Sequence, residues 1–231
     1  SFSKLLDWDD RTTCVLFGDG AGAVILEAGA PVDDWGVLSS VLHTDGRYRD
    51  ILYVDGGPSE TGTVGHVRMK GPDVFKHAVE KLSSALDEAL TKADKTPDEI
   101  DWLVPHQANL RIINGMQKKL GLDPQKVVRT VSEHANTSAA SIPLALNTAV
   151  RDGRIQSGHV LAFEAIGGGL ARRRGAARRS GGDFIAAMRR DFDCAFCSAF
   201  DRRGVLAAFC SVWLGGFALS SEGQRCKNPR Q

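Results

Sequence analysis

The chain of 231 residues lacks the two features that would place it in or across a membrane. No apolar run approaches the roughly 20 residues that a membrane-spanning helix needs, and the first residues do not have the pattern of a secretory signal. We therefore expect a cytoplasmic protein without a membrane partner. Hydrophobic residues make up 42% of the chain and charged residues 25%, which suits the core of one or two globular domains.

Cysteine is scarce in the first 170 residues. Cys14 is the one cysteine there, and it lies in the apolar run 12–17, where burial in a strand is the expected role. The other cysteines lie beyond residue 170: Cys194, Cys197, Cys210 and Cys226. No cysteine of the chain has a sequence context that indicates a nucleophile.

Residues 171–231 lack histidine and contain one lysine beside 11 arginines. They carry 12 basic and 5 acidic residues, whereas residues 1–170 carry 17 basic and 23 acidic residues. This abrupt change of composition predicts a boundary at Leu170. We expect the tail beyond it to be disordered or to be translated out of frame.

Three explanations of the composition of this tail compete. Cys194 and Cys197 have the spacing of zinc ligands, but the second pair that a zinc module needs is missing. The basic run 172–179 could contact a polyanion through its guanidinium groups, or it could simply be solvated. Translation in a wrong frame explains the excess of Ala, Arg, Gly and Cys, and it is the interpretation that we favour. We therefore expect neither a metal site nor a nucleic-acid partner.

The first 170 residues alternate between patterns typical of strands and of helices, which predicts an α/β protein with a mainly parallel sheet. Strands are predicted at 12–17, 23–26, 35–42, 63–69, 102–104, 127–131 and 159–164. Helices are predicted at 72–93, 109–120 and 142–151. Thr96 and Glu99 have the spacing of a capping box, which predicts a short helical turn before the strand at 102–104.

Two helices have an apolar stripe that we expect to face the core. In the first helix the stripe comprises Val74, Phe75, Ala78, Val79, Leu82, Leu86 and Leu90. In the second helix it comprises Leu110, Ile113, Met116 and Leu120, and Gly121 is the expected end of the helix. We interpret both stripes as core and not as part of a site.

Two segments contain polar residues that a folded core does not require. The sequence VPHQANLRI occupies residues 104–112, and HANTSAAS occupies residues 134–141. Taken alone, His106 after a buried strand is usually a hydrogen-bonded core residue, and Asn136 is usually a turn or cap residue. Their joint context, however, favours a site.

These segments belong to an ordered series that resembles the β-ketoacyl-acyl-carrier-protein synthase III family. The series also includes DWDDRTT at 7–13, FGDGAGA at 17–23, VFK at 74–76, AVRDGRI at 149–155 and EAIGGGL at 164–170. Members of this family start fatty-acid synthesis by condensing an acyl-CoA with a malonyl-carrier protein. The resemblance implies a thiolase-like fold, with residues 1–32 ending its N-terminal half and residues 33–170 forming its C-terminal half.

The resemblance also implies the roles of the site residues. His106 and Asn136 would donate hydrogen bonds to the enolate that forms when a malonyl thioester loses carbon dioxide. Gly167, Gly168 and Gly169 would form an oxyanion loop, in which the backbone N–H of Gly168 faces the reacting carbonyl. Ile166 stands where the family usually has Phe.

Binding residues follow from the same resemblance. Arg11 would contact coenzyme A, whereas Gln107, Arg111, Lys76, Lys118 and Lys119 would contact the acyl carrier protein, whose surface is acidic. Gln107 and Asn109 are also expected to orient the His106 loop through hydrogen bonds. The intact family enzyme is a homodimer, and it uses acyl-CoA and malonyl-carrier protein as substrates without a further cofactor.

One element of the family pattern is missing from this sequence. The family's nucleophilic cysteine precedes the DWDDRTT region, and no residue before Asp7 matches it. We therefore expect that this chain alone cannot form an acyl-enzyme and is inactive by itself as a condensing enzyme. Two alternatives remain open: a related enzyme of the thiolase superfamily that condenses another acyl acceptor, or a non-catalytic subunit that binds the carrier protein.

Overall fold

The computed structural model describes residues 2–25, 36–57 and 61–167, together with the backbone of the strand at 183–189. The strands are β1 (Gly36–His43), β2 (Leu52–Val54), β3 (Val67–Met69), β4 (Trp102–Pro105), β5 (Val160–Glu164) and β6 (Asp183–Arg189). The helices are α1 (Gly71–Lys92), α2 (Leu110–Lys119), α3 (Val131–His134) and α4 (Ser141–Arg151). Short 3₁₀ turns occur at Phe2–Leu5, Gly46–Ile51, Pro97–Glu99, Pro124–Lys126 and Ser138–Ala140.

The main sheet has the strand order β1-β6-β5-β4. The pair β4 and β5 is parallel, which requires a long crossover, and residues 106–159 with α2, α3 and α4 supply it. Strand β6 runs antiparallel to both of its neighbours. The predicted α/β class is thus confirmed, but the described sheet is mixed where mainly parallel pairing was expected.

Strand β6 comes from the tail and lies inside the sheet. Ala186 is aligned with Phe163 of β5 on one side and with Ser40 of β1 on the other. Residues 183–189 thus form a strand within the tail that was expected to be disordered or translated out of frame. The basic run 172–179 and the tail cysteines Cys194, Cys197, Cys210 and Cys226 lie outside the described residues.

Helix α1 packs against the sheet and against α2, and its predicted core stripe is largely confirmed. Val74, Ala78, Leu82, Leu86 and Leu90 are buried. Two residues of the predicted stripes depart from the expectation: Phe75 is 39% exposed and Leu110 is 49% exposed. Both lie in the first turns of their helices, where they line an open pocket instead of the core.

The predicted strand at 12–17 is absent because local hydrogen bonds hold the backbone in turns. The Asp10 carboxylate accepts from the Thr12 N–H at 2.9 Å and from the Thr13 hydroxyl at 3.0 Å, so residues 11–16 form turns. Cys14 therefore lies in a turn and is half-buried, not placed in a strand. At 127–131 the ladder is limited to one bridge between Val127 and Leu103. The strand predicted at 23–26 is described as far as residue 25, where Val24 forms an isolated bridge and no strand.

The N-terminal segment 2–25 is attached to the rest of the protein at two places. Arg68 of β3 bonds Asp7 at 2.8 Å and Asp55 at 2.6 Å, which joins this segment to the β2–β3 hairpin. Phe17 forms a bridge with Asn136 on the other side. Within the described residues, no helix has the length and apolar character required to cross a membrane.

Candidate active site

An open pocket of about 790 Å³ lies beyond the carboxyl ends of β4 and β5, beside the first turns of α1 and α2. His106, Asn136 and Gly167 all line it, although they come from three separate segments of the chain. Apolar side chains form much of the remaining wall, including Phe75 and Leu110. The fold thus brings the main predicted site residues to one cavity.

His106 is the first residue after β4, and its position is fixed from two sides. Its backbone N–H donates to the Glu164 carbonyl at 2.7 Å, which continues the pairing of β4 with β5. Its Nδ1 lies 2.6 Å from the Ser141 hydroxyl at the start of α4. The same hydroxyl accepts from the Gln107 N–H at 3.1 Å.

These contacts indicate which nitrogen of His106 carries the proton. The Ser141 oxygen accepts from the Gln107 N–H, and we assign its own O–H as the donor to Nδ1. A neutral imidazole that accepts at Nδ1 carries its proton on Nε2. Burial lowers the pKa of His106 to about 4, so the ring is neutral at pH 7 and can donate through Nε2.

Asn136 is buried, and the backbone on both sides of it is constrained. Its N–H donates to the Leu16 carbonyl, and its carbonyl accepts from the Gly18 N–H, each at 3.0 Å. Its side-chain Oδ1 accepts from the Ser138 N–H at 3.0 Å. With Oδ1 engaged in this way, the amide Nδ2 is the group left to donate into the pocket.

The backbone around Asn136 adopts conformations that L residues seldom take. Ala135 has φ of 57° and Ser138 has φ of 54°, both in the left-handed region. Such torsions persist only where surrounding contacts enforce them, and they cluster at functional sites. Here the backbone hydrogen bonds of Asn136 with Leu16 and Gly18 in the N-terminal segment supply such contacts.

The glycines of FGDGAGA allow this close approach. A Cβ atom at Gly20 would lie 2.9 Å from Thr137 Cγ2, and one at Gly22 would lie 2.5 Å from Pro143 Cγ. Both distances are shorter than carbon atoms tolerate. The glycine motif therefore serves to bring residues 16–22 against the Asn136 loop and the first turn of α4.

Gln107 is completely buried, and this position corrects its assignment to the carrier-protein surface. Its Nε2 donates to the carbonyls of Pro105 at 2.8 Å and Val128 at 3.2 Å, and its Oε1 accepts from the Thr130 N–H at 2.8 Å. These bonds hold the chain after β4 to residues 128–130. The geometry agrees with the alternative expectation that Gln107 orients the His106 loop.

Asn109 also acts within the loop. Its Oδ1 accepts from the Ile112 N–H at 2.9 Å and caps the start of α2. The cap fixes the point at which the loop after β4 becomes helical. Asn109 therefore sets the path of the chain that carries His106.

The predicted basic binding residues are all exposed. Arg111 in the first turn of α2 lines the pocket, whereas Lys118 and Lys119 lie in the last turn of the same helix. Lys76 lies on α1, which packs against α2. Arg11 is in the N-terminal turns, next to Thr12, which lines the pocket.

The glycine loop is described only at its first residue. Gly167 lines the pocket together with Ile166, the residue that replaces the family's Phe. Gly168 and Gly169 lie outside the described residues, so the predicted donor at Gly168 stays a prediction.

Neither a metal centre nor a cysteine nucleophile is formed in the part of the chain that the structure describes. No cluster of three or more His, Cys, Asp or Glu side chains there could hold a metal ion. Cys14 is the one described cysteine, and it is not among the residues that line the pocket.

Two residues at this site carry no role in the sequence prediction. Ser141 ends the segment HANTSAAS, and Glu164 begins EAIGGGL. Neither residue has a spacing from other polar residues that indicates a functional role. Their contacts depend on the parallel pairing of β4 with β5 and on the position of α4. A local sequence pattern does not contain that information.

Family models match both ends of the described region. Residues 1–46 match 3-oxoacyl-[acyl-carrier-protein] synthase III, and residues 90–175 match the C-terminal model of the same family. The segments 104–112 and 134–141 both fall within the C-terminal match. The matches therefore include the loops that carry His106 and Asn136.

Curated relatives of the same family are more than 60% identical to this chain over the aligned residues. The chain is 63% identical over 170 residues to the β-ketoacyl-acyl-carrier-protein synthase III of Sphingopyxis alaskensis, a match covering 74% of this chain and 53% of that protein. It is 61% identical over 175 residues to the enzyme of the same name from Jannaschia sp., again covering 74% and 53%. The chain thus spans about half the length of the curated relatives it matches.

Solved structures agree with these matches. The 3-oxoacyl-(acyl carrier protein) synthase III of Pseudomonas aeruginosa superposes with a TM-score of 0.72 at 34% identity, covering 83% of this chain and 56% of that one. The Thermus thermophilus synthase III superposes with a TM-score of 0.66 at 37% identity, covering 81% and 56%. From its sequence and from its fold, the chain belongs to the β-ketoacyl-acyl-carrier-protein synthase III family.

Proposed function

We propose that this chain carries the decarboxylation site of a β-ketoacyl-acyl-carrier-protein synthase III, an acyltransferase that condenses an acyl-CoA with malonyl-carrier protein. One observation carries the proposal: a neutral His106 and the amide of Asn136 line the same pocket, and each has its acceptor atom engaged by the protein. Each side chain therefore has a donor left for a ligand. The high identity to curated synthases supports the same activity.

Two neutral donors suit the loss of carbon dioxide from a malonyl thioester. The bond between the α-carbon and the carboxylate breaks, and its electron pair moves into the thioester as an enolate. His106 and Asn136 stabilise the negative charge that develops on the thioester oxygen. In the complete enzyme, the enolate carbon then attacks the carbonyl of the acyl-enzyme, which forms the new carbon–carbon bond and releases the enzyme thiolate. In the chain alone, the enolate carbon takes a proton from water, which gives the acetyl thioester.

The neutral state of His106 matters for this step. A protonated imidazole would attract the malonyl carboxylate and stabilise the ground state before decarboxylation, whereas a neutral donor stabilises mainly the enolate. The apolar walls near Phe75 and Leu110 also strengthen these hydrogen bonds, since they lower the local dielectric.

The exposed basic residues supply the proposed binding surface. Arg111 and Lys118 are seven positions apart on α2, so they lie on one side of the helix at about 10 Å spacing. With Lys119 and Lys76 they present positive charge beside the pocket, which suits an acidic carrier protein. We assign Arg11 to coenzyme A because it lies next to the pocket residue Thr12.

The acyl-enzyme step needs a nucleophilic cysteine, and no described cysteine lines this pocket. Cys14 does not line the pocket, so we propose that the chain by itself decarboxylates without forming an acyl-enzyme. In the complete enzyme, the homodimer of the family and its nucleophilic cysteine would supply that step. Location in the cytoplasm and independence from a further cofactor belong to the same proposal.

The test uses the purified chain and malonyl-CoA, with release of carbon dioxide as the measurement. We expect decarboxylation above the protein-free blank, and we expect His106→Ala and Asn136→Ala to lower its rate by about 100-fold each, since one such donor contributes about that much. Matched controls are His66→Ala, an exposed histidine on another surface, and Asn147→Ala on α4, neither of which lines the pocket. Both controls should retain the rate.

Two results would contradict the proposal. A wild-type chain without decarboxylation would leave the carrier-binding subunit as the remaining interpretation. A rate that survives both pocket substitutions would place the reaction elsewhere. Incubation with acetyl-CoA followed by mass spectrometry should show no acetylated protein, and a mass gain of one acetyl group on Cys14 would overturn the assignment of the acyl-enzyme step.

A further inference from the structure

Glu164, the last residue of β5, is a buried acid with no partner among the described residues. Its side chain is 0% exposed, and neither carboxyl oxygen has a hydrogen bond. Unpaired acidic groups are rarely buried to this extent, because an isolated charge is costly away from water. Its position therefore calls for a physical explanation.

The surroundings of Glu164 favour its uncharged form. Side chains alternate along a strand, so Glu164 shares a face with Ala162, which packs in the apolar cluster between the sheet and helices α1 and α2. Buried residues that these helices contribute to the cluster are Ala78, Leu82, Ile112, Ile113 and Met116. Burial in this cluster raises the pKa of Glu164 to about 8.

Titratable groups on the neighbouring elements are engaged elsewhere or lie at the margins. The ring of His77 on α1 packs at a tilt against Tyr48 with centroids 4.0 Å apart, and His43 of β1 bonds Glu88 at 2.7 Å. Arg111 of α2 is exposed, and the charged residues of β6 are Asp183 and Arg189 at its two ends. His106 follows β4 and donates its backbone N–H to the Glu164 carbonyl. Other charged residues of α1 and α2, among them Lys76, Glu80, Lys118 and Lys119, are exposed. None of these is a cause of the raised pKa of Glu164, which burial alone produces.

The backbone of Glu164 is part of the proposed active site. Its carbonyl accepts the His106 N–H at 2.7 Å, and Pro105 is its partner in the β4–β5 register. The next three residues, Ala165 to Gly167, line the pocket. A movement at Glu164 would therefore displace both His106 and the wall that leads into the glycine loop.

We propose that Glu164 is a positioning residue that keeps its proton, and that its neutral carboxyl holds the end of β5, and through it His106, in the geometry needed for decarboxylation. Ionisation would create an unpaired charge in the apolar cluster, and the end of β5 would move to bring that charge to water. This inference rests on the proposed function. It deepens that function by adding a residue that acts through His106 without touching the substrate.

The first test is the pH profile of malonyl-CoA decarboxylation for the purified chain and its variants. The wild-type rate should fall as the pH rises through about 8, where Glu164 ionises. Glu164→Ala should lower the rate at pH 7 by about tenfold or more, because a displacement of about 1 Å in a reacting group can cost about 100-fold. Glu164→Gln, which keeps the shape without ionising, should recover most of that loss and remove the decline near pH 8.

The matched control is Glu80→Gln on the exposed side of α1. It should keep both the rate at pH 7 and the alkaline decline. A decline that persists unchanged in Glu164→Gln would overturn the proposal, as would full activity in Glu164→Ala. If Glu164→Ala does not fold, the comparison of wild type with Glu164→Gln decides the matter.

A second measurement separates this inference from the proposed function. The His106 ring signals can be assigned in NMR spectra by their loss in His106→Ala. Because His106 is itself neutral above about pH 4, an inflection of its signals near pH 8 would report the ionisation of Glu164. We expect this inflection in the wild type and its loss in Glu164→Gln. A chain that shows the inflection but no decarboxylation would refute the proposed function alone, and a flat titration would refute the role of Glu164.

Discussion

At the scale of single residues, the site depends on groups whose hydrogen bonds leave one donor free. Ser141 accepts from the Gln107 N–H and faces His106 Nδ1, and Ser138 occupies the oxygen of Asn136. The protein thus fixes which atom of each side chain points to a ligand. In the proposed reaction this arrangement would require little reorganisation, because the donors are oriented in advance.

Ser141→Ala tests this arrangement. Without the hydroxyl, Nδ1 of His106 loses its partner and the proton can move between the two ring nitrogens, so fewer molecules have the donor on Nε2. We expect the decarboxylation rate to fall about five- to tenfold, as the loss of one hydrogen bond of about 1 kcal/mol implies. Nitrogen NMR of the His106 ring should show a mixed tautomer. Ser84→Ala on the exposed side of α1 is the control, and an unchanged tautomer in Ser141→Ala would contradict the assignment.

At the scale of secondary-structure elements, the N-terminal segment acts as a support for the Asn136 loop. The backbone bonds from Leu16 and Gly18 reach the loop only because the glycines at 18, 20 and 22 have no side chain. The elements with strong local signals were predicted well. Helix α1 has a continuous apolar stripe, and Thr96 and Glu99 form the predicted capping box.

Elements decided by competing contacts were predicted poorly. The apolar run 12–17 has the composition of a strand, but the Asp10 carboxylate accepts from the Thr12 N–H and the Asp10 carbonyl accepts from the Thr13 N–H, which forms a turn. Phe75 and Leu110 fit their helical stripes, yet their positions at the helix starts expose them to the pocket. Ser141 and Glu164 could not be assigned, because their roles depend on neighbours distant in sequence.

Gly22→Ala tests the support of the Asn136 loop. The added Cβ would overlap Pro143, so the N-terminal segment should move away from α4 and from residues 134–138. We expect a loss of about 1–3 kcal/mol in the free energy of unfolding, which is typical of overpacking, and a marked fall in decarboxylation. Gly57→Ala is the control, because a Cβ there meets no atom of the described residues within 4 Å. Equal stability of the two variants in urea unfolding would count against this account.

At the scale of the whole molecule, the main sheet is completed by a strand from the tail. Composition alone separated residues 171–231 from the fold, and it gave no sign that 183–189 would lie between β1 and β5. Whether a distant segment pairs as a strand depends more on an unpaired strand edge in the sheet than on the β-propensity of the segment itself. The boundary expected at Leu170 therefore does not separate the described fold from all of the tail.

Truncation tests the contribution of β6. A chain that ends at residue 182 loses the partner of both β1 and β5, and the two strands are left with unpaired edges. We expect it to unfold at lower urea concentration than the full chain and to aggregate more readily. A chain that ends at residue 190 retains β6 and serves as the control. Identical unfolding of the two truncated chains would show that β6 does not stabilise the fold.

The bonds between Leu16 and Asn136 also bear on the order of folding. They join positions about 120 residues apart, so the loop around Asn136 can reach its strained backbone only after the two distant segments have met. Contacts of such long range form slowly, because the loss of chain entropy precedes their gain. Helices α1 and α2 can form early from neighbouring residues, so we expect the pocket to close last. During unfolding these contacts should break first. The proposed decarboxylation should therefore be lost before the helices unfold.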